Sequence, residues 1–220
     1  KVHKIESVLK EAKAYFQDHN NIDLKMESMK GLFNGDKILY IHANYSADIR
    51  KSIEMIKKLN IKKCILVGGE EALSVIDIIK KYQIPLILNR VHRLPDTEDR
   101  AIDEPFVQPQ KLKELDVKFC FGYSGGMEAM GSRNLPFSAG TAVAYGLNYE
   151  DAVQALSLNA AEIMGISNHL GSIEIGKEAT FFISSGDALD ISKNNVENIF
   201  IKGKSINIDN HQKTLYEKFK

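Results

Sequence analysis

Residues Lys37–Gly69 read KILYIHANYSADIRKSIEMIKKLNIKKCILVGG. Two short apolar runs, Lys37–Ala43 and Lys63–Gly69, flank a polar segment in which Ile49, Ile53, Ile56 and Leu59 recur at helical spacing. That spacing gathers four apolar side chains on one face of a helix over 46–59, with Ser46 placed to cap its start. The flanking runs are apolar nearly throughout rather than alternating. Strands of that kind are buried on both faces, as in a parallel sheet.

The same alternation continues downstream. A helix is expected over Glu70–Tyr82, a third strand at PLILN (85–89), and a polar, proline-containing loop over Arg90–Val107. A short helix over Gln110–Leu115, a fourth strand at KFCFG (118–122) and a helix over Phe137–Tyr145 follow. Upstream, Ile5, Val8, Leu9, Ala12 and Phe16 predict a helix, Leu24–Phe33 a weaker one, and Asn34-Gly35-Asp36 a turn. Four strand–helix units are therefore visible. A closed (β/α)8 barrel has eight in about 250 residues, so the chain supplies at most half of one. An open, doubly wound sheet is the alternative that pattern alone leaves standing.

Composition narrows the function classes. Lysine plus arginine and aspartate plus glutamate balance at 29 each, and the charges are interspersed. Nothing in that balance marks a nucleic-acid footprint or an anionic membrane surface. No apolar run reaches the roughly 18 residues of a membrane span. The charged, helix-periodic N-terminus is not a secretory signal, and a chain opening on a helix without Met is expected to be a piece of a longer protein. Cys64 and Cys120 lie far apart inside apolar runs, which predicts buried, reduced thiols. The protein is expected to be soluble; cytoplasm and bacterial periplasm both stay open.

Residues Asn148–Asp190, NYEDAVQALSLNAAEIMGISNHLGSIEIGKEATFFISSGDALD, read as a helix, a second short helix ended by Gly165, a turn and a return to β-structure. GSIEIGKEATFFIS and VENIFIKGKSINI predict strands, with Lys202-Gly203-Lys204 the tightest turn, and Asn210–Phe219 a terminal helix. Together with RNLPFSAG (133–140), this stretch resembles the C-terminal signature of the amidohydrolase superfamily, in its imidazolonepropionase-like branch. The resemblance covers roughly Leu39 to the C-terminus. It implies the second half of a (β/α)8 barrel over residues 1–165, then part of a small β-domain and a terminal helix over 166–220. It also implies hydrolysis of non-peptide C–N bonds, in cyclic amides or dipeptides, with a divalent metal of the zinc type. In texture the chain is similar to the metal-ligand-poor unit that precedes an intact one in some tandem proteins of this kind.

In a parallel α/β fold, chemistry collects where the strands end. His42, in Ile41-His42-Ala43-Asn44, resembles the family's fifth-strand metal histidine; the other reading is a histidine hydrogen-bonded in the barrel mouth. Gly68 stands where the family carries a second histidine, and Ser124 where it carries the metal-binding, proton-shuttling aspartate. Glycine ligates nothing through a side chain, and an unassisted serine hydroxyl is far too weak an acid to serve as that base. The resemblance thus implies a degenerate metal site, and with it a second function: an inactive scaffold or ligand-binding unit supporting an active unit of the same protein.

Gly68-Gly69 and Gly122–Gly126 expose backbone N–H groups at strand exits, which fits an anion; the other reading is tight turns only. His92, Arg133 and Asn134 are candidate contacts for a small-molecule substrate, with a loop residue and a buried, loop-holding arginine as the structural readings. A half barrel leaves strand edges unpaired. Its expected partners are the remaining half of the barrel or a second copy of itself.

Overall fold

The computed structural model describes residues 2–17, 21–95, 97–124 and 128–220. The chain opens with helices α1 (Val2–Tyr15), α2 (Leu24–Glu27) and α3 (Lys30–Asn34), the last ended by Gly35 at φ 95°. Four strand–helix units follow: β1 (Leu39–Ala43) with α4 (Ser46–Lys58), β2 (Cys64–Gly68) with a 3-10 turn (Ala72–Val75) and α5 (Ile76–Tyr82), β3 (Leu86–Leu88) with α6 (Glu104–Glu114), and β4 (Phe119–Phe121). After β4 come α7 (Glu128–Gly131), α8 (Leu135–Ala144), α9 (Tyr149–Leu156) and α10 (Leu158–Met164). A separate antiparallel sheet of β5 (Phe181–Ser184), β6 (Val196–Ile201) and β7 (Lys204–Ile206) precedes the last helix, α11 (His211–Phe219).

All four strands of the first sheet run parallel, in the order β1-β2-β3-β4. Strand phase decides what each face does, because successive side chains point to opposite sides. Ile41, Leu66, Leu86, Leu88, Phe119 and Phe121 join one core with Ile49, Ile53 and Ile56 of α4, Ile78 and Ile79 of α5, Leu112 of α6 and Ala139 of α8. The opposite phase packs differently: Ile65 and Cys120 meet Ile163 of α10, with Val67 and Ile87 beside them. The strictly sequential order excludes the doubly wound alternative, whose strand order reverses direction at a switch point. The arrangement is consistent with part of a (β/α)8 barrel.

The two sheet edges differ. Leu86 N–H donates to Lys118 C=O and Gly122 N–H to Leu88 C=O, so these groups of the β4 segment face β3. Phe119 C=O therefore faces the open edge, where Asn159 Nδ2 of α10 donates to it at 3.0 Å. At the other edge, Leu39 N–H donates to Lys63 C=O and Gly69 N–H to Ala43 C=O. Tyr40 and His42, in the opposite phase, turn their backbone groups outward.

Several elements depart from the sequence reading for identifiable reasons. α6 starts six residues before Gln110, because Pro105 sits in its first turn, where a missing N–H costs nothing. Glu70–Tyr82 is a 3-10 turn joined to an α-helix, and Leu24–Phe33 is two short helices, the first capped by Asp23. Ser46 is the first residue of α4, not its cap. The alternating Ser172-Ile173-Glu174-Ile175 forms no strand: Gly171 and Gly176, at φ 101° and 96°, turn the chain around it. Lys202 and Gly203, both at positive φ, make the β6–β7 hairpin turn as the sequence predicts. Cys64 and Cys120 are free and buried, and burial pushes the Cys120 thiol up to about 11. Among the described residues, no helix is long and apolar enough to cross a membrane.

Core truncation gives the direct check. Ile53→Ala, at a site with no exposed surface, should cost about 2–5 kcal/mol in urea unfolding. Ile173→Ala, at a site 86% exposed, should stay within about 0.5 kcal/mol.

Candidate functional site: the strand exits

Three side chains form a belt across the C-terminal ends of the strands. Ser124 Oγ donates to Asn89 Oδ1 at 2.5 Å, and Asn89 Nδ2 donates to Asn44 Oδ1 at 3.4 Å. The belt thus runs from the β4 exit through the β3 exit to the β1 exit. It crosses β2 at Gly68, and a Cβ at that position would collide with Asn44 Oδ1. Gly68 also sits at φ 105°, a region that favours glycine. A glycine is therefore required at residue 68 by both its backbone and its neighbour.

His42 lies on β1, exposed, with Val67 of β2 as its in-register partner. In-register residues of adjacent parallel strands project from the same face, so a valine stands beside the histidine.

At the glycine exits, two of the N–H groups expected to face an anion are engaged within the sheet. Gly69 N–H donates to Ala43 C=O at 2.9 Å and Gly122 N–H to Leu88 C=O at 2.8 Å, so both donors are spent on the sheet. Gly125 and Gly126 lie outside the described residues. The start of α4, a natural anion site, is filled by the chain itself. Glu71 Oε2 accepts the Ser46 N–H at 2.6 Å, replacing the expected serine cap.

Glu71 also pairs with Arg100 at 2.8 Å, and Glu70 pairs with Arg93 at 3.2 Å. These two ion pairs strap the loop after β3 onto the loop after β2. Gln108 adds a buried hydrogen bond to Gly69 C=O at 2.7 Å. Hydrogen bonds from Ser46, and secondarily Arg100, hold the Glu71 carboxyl below its ordinary value.

The remaining candidates lie apart from the belt. His92 Nε2 is 2.6 Å from Thr141 Oγ1, whose own hydroxyl donates to Phe137 C=O. Partial desolvation pushes the His92 imidazole down. This pair lines a cleft of about 500 Å³ between α8 and residues Asp187–Ile191. Arg133 is exposed, not buried, and it makes no ion pair among the described residues. Asn134 is the N-cap residue of α8 without a side-chain cap bond. The sequence reading passed over Asn44, although it follows His42 at the two-residue spacing that keeps a strand's face.

A divalent metal, implied by the resemblance, finds a poor fit here. Zinc sites need three or four nitrogen, sulfur or oxygen ligands. Among the described residues, no group of three histidine, cysteine, aspartate or glutamate side chains is placed to hold an ion. At the strand exits His42 has Val67 as its in-register partner, and the belt supplies two asparagines and a serine. Among the described residues, these donors do not make a metal centre.

A sequence model of the Amidohydrolase family matches residues 9–206. The chain belongs to the amidohydrolase family. An imidazolonepropionase of Flavobacterium psychrophilum is 28% identical over 176 residues, covering 71% of this chain and 42% of that protein. A crystal structure of an amidohydrolase from Thermotoga maritima superposes with TM-score 0.79 at 22% identity, covering 93% of this chain and 55% of that one. A zinc-bound adenosine deaminase of Xanthomonas campestris superposes with TM-score 0.58 at 16% identity, covering 90% and 53%. This amidohydrolase chain spans about half the length of the relatives it matches. Likeness at these structural identities concerns the fold.

Two outcomes follow from the geometry. Gly68→Ala should destabilise the fold by about 1–3 kcal/mol in chemical denaturation, through strain at positive φ and displacement of Asn44. Glu71→Gln should cost about 1 kcal/mol near neutral pH by weakening the α4 cap. A carboxyl whose value is lowered in the fold stabilises above its ordinary value, near 4.5, and loses that contribution as pH falls through the lowered one. The gap between wild type and Glu71→Gln should therefore hold down to about pH 4.5 and close below it. Urea titrations at stepped pH check this.

Proposed function

We propose that the protein is a hydrolase of non-peptide C–N bonds in a small molecule, of the cyclic-amide or dipeptide-like kind, and that this chain serves it as a supporting barrel segment. The family match supports the chemistry. The observation that carries the supporting role is that His42, among the described residues the single candidate metal ligand at these strand exits, stands beside Val67 and the neutral Asn44–Asn89–Ser124 belt. On this reading the metal position of this segment is degenerate, residues 1–165 contribute barrel and residues 166–220 contribute part of a smaller β-domain. The outward-facing backbone of Tyr40 and His42 is the edge at which the rest of a barrel joins the sheet.

Ser124 is a belt donor on this account and not a replacement general base, since its proton is engaged on Asn89. Of the sequence candidates, His92 is the better placed for contact with a bound small molecule, because it lines a cleft and titrates below its ordinary range.

The test uses the full-length protein, with metal content measured by mass spectrometry and hydrolysis assayed on a panel of cyclic amides and dipeptides. C–N hydrolysis is expected, with metal content unchanged in His42→Ala. Loss of about one metal equivalent in His42→Ala would place the metal centre in this chain and remove the supporting role. Absence of hydrolysis across the panel would remove the activity.

A further inference from the structure

We propose that the cleft between α8 and residues Asp187–Ile191 is a binding site for a small organic cation, an ammonium group carried on an apolar body. The cleft lies apart from the belt, and its chemistry is independent of whether the protein hydrolyses anything.

The cavity has the size and walls of a ligand site. Its volume is about 500 Å³, and small-molecule pockets run from roughly 300 to 1,000 Å³. Phe137 and Val143 of α8 face Leu189 across it. The two walls are fixed to one another, because Leu189 is buried in the main core and its carbonyl lies against Gly140, where a Cβ would collide with it.

Hydrogen placement gives the polarity of the ligand. A hydroxyl carries one proton, and that of Thr141 goes to Phe137 C=O at 3.0 Å. Thr141 Oγ1 therefore accepts from His92 Nε2, 2.6 Å away, which makes Nε2 the protonated nitrogen. Desolvation pushes the imidazole down, so near neutral pH it is uncharged and Nδ1 keeps its lone pair. The Tyr149 hydroxyl donates to Asp187 Oδ1 at 2.9 Å, and that bond pushes the phenol up, keeping its proton in place. Every side-chain donor lining the cleft is thus engaged within the protein. Acceptors are what remain.

Charge points the same way. Two carboxylates line the cleft, and no lysine or arginine does. Asp190 is already satisfied by Ser192 and Lys193. Asp187 is exposed and only half used: Oδ1 also accepts the Leu189 N–H, while among the described residues Oδ2 has no hydrogen bond and the carboxylate no ion pair. An anion would meet negative charge and no side-chain donor, and a neutral apolar molecule would leave the acceptors unpaired. An ammonium supplies both the charge and the donors, and its apolar body covers the walls.

The test is calorimetric titration of the full-length protein with 2-phenylethylammonium, its neutral counterpart 2-phenylethanol and the anion phenylacetate. The ammonium should bind saturably, at least about tenfold more tightly than either analogue, on the scale of one charge-assisted hydrogen bond. Asp187→Asn should lose about tenfold in ammonium affinity, whereas Asp190→Asn, whose carboxylate is already paired, should lose no more than about threefold. Melting temperatures of both variants confirm that they fold. No saturable ammonium binding, or phenylacetate bound as tightly, would overturn the proposal. Equal losses in the two variants would also overturn it, reducing the effect to diffuse surface charge.

Discussion

Side-chain phase along four short parallel strands is the constraint on which everything else in this chain depends. One phase sends Ile41, Leu66, Leu86, Leu88, Phe119 and Phe121 into a shared core with the helices. At roughly 25 cal/mol per Å2 of apolar surface buried, that core dominates the stabilisation and fixes the register. A slip by one residue would turn it to the opposite face. The other phase is thereby committed. Tyr40, His42, Val67, Ile87 and Cys120 must take the opposite face, whatever their chemistry.

The strand exits inherit this commitment. His42 is held next to an apolar neighbour, Val67, while Gly68 sits at positive φ against Asn44. The hydrogen bonds of the Asn44–Asn89–Ser124 belt are each worth about 0.5–1.5 kcal/mol net, and they tie three strand ends together. Glu71 adds a second tie, since one carboxylate caps α4 and anchors Arg100. Polar groups at this mouth are largely engaged with one another. That engagement is the observation behind the supporting role proposed for this segment.

Local physics explains which parts were legible in the sequence. The apolar runs and the Ile49-Ile53-Ile56-Leu59 spacing identified strands and helix because burial acts on neighbours in sequence. The RNLPFSAG and GSIEIGKEA stretches carried the family resemblance that the match over residues 9–206 bears out. What could not be read was set by partners distant in the chain. Glu71 caps a helix that begins 25 residues earlier, and Asn44 meets Asn89 across 45 residues. Ser46 therefore looked like a cap. The alternation in Ser172–Ile175 imitated a strand because two flanking glycines, not the alternating residues, set the path of the chain.

The central claim is that the strand exits are held by a neutral side-chain belt. A double-mutant cycle on Asn89→Ala and Ser124→Ala, followed by urea unfolding, measures that belt most directly. The account predicts that the two losses are not additive, with a coupling of at least about 0.5 kcal/mol. Strict additivity would contradict it, leaving the strand exits held by backbone and core alone.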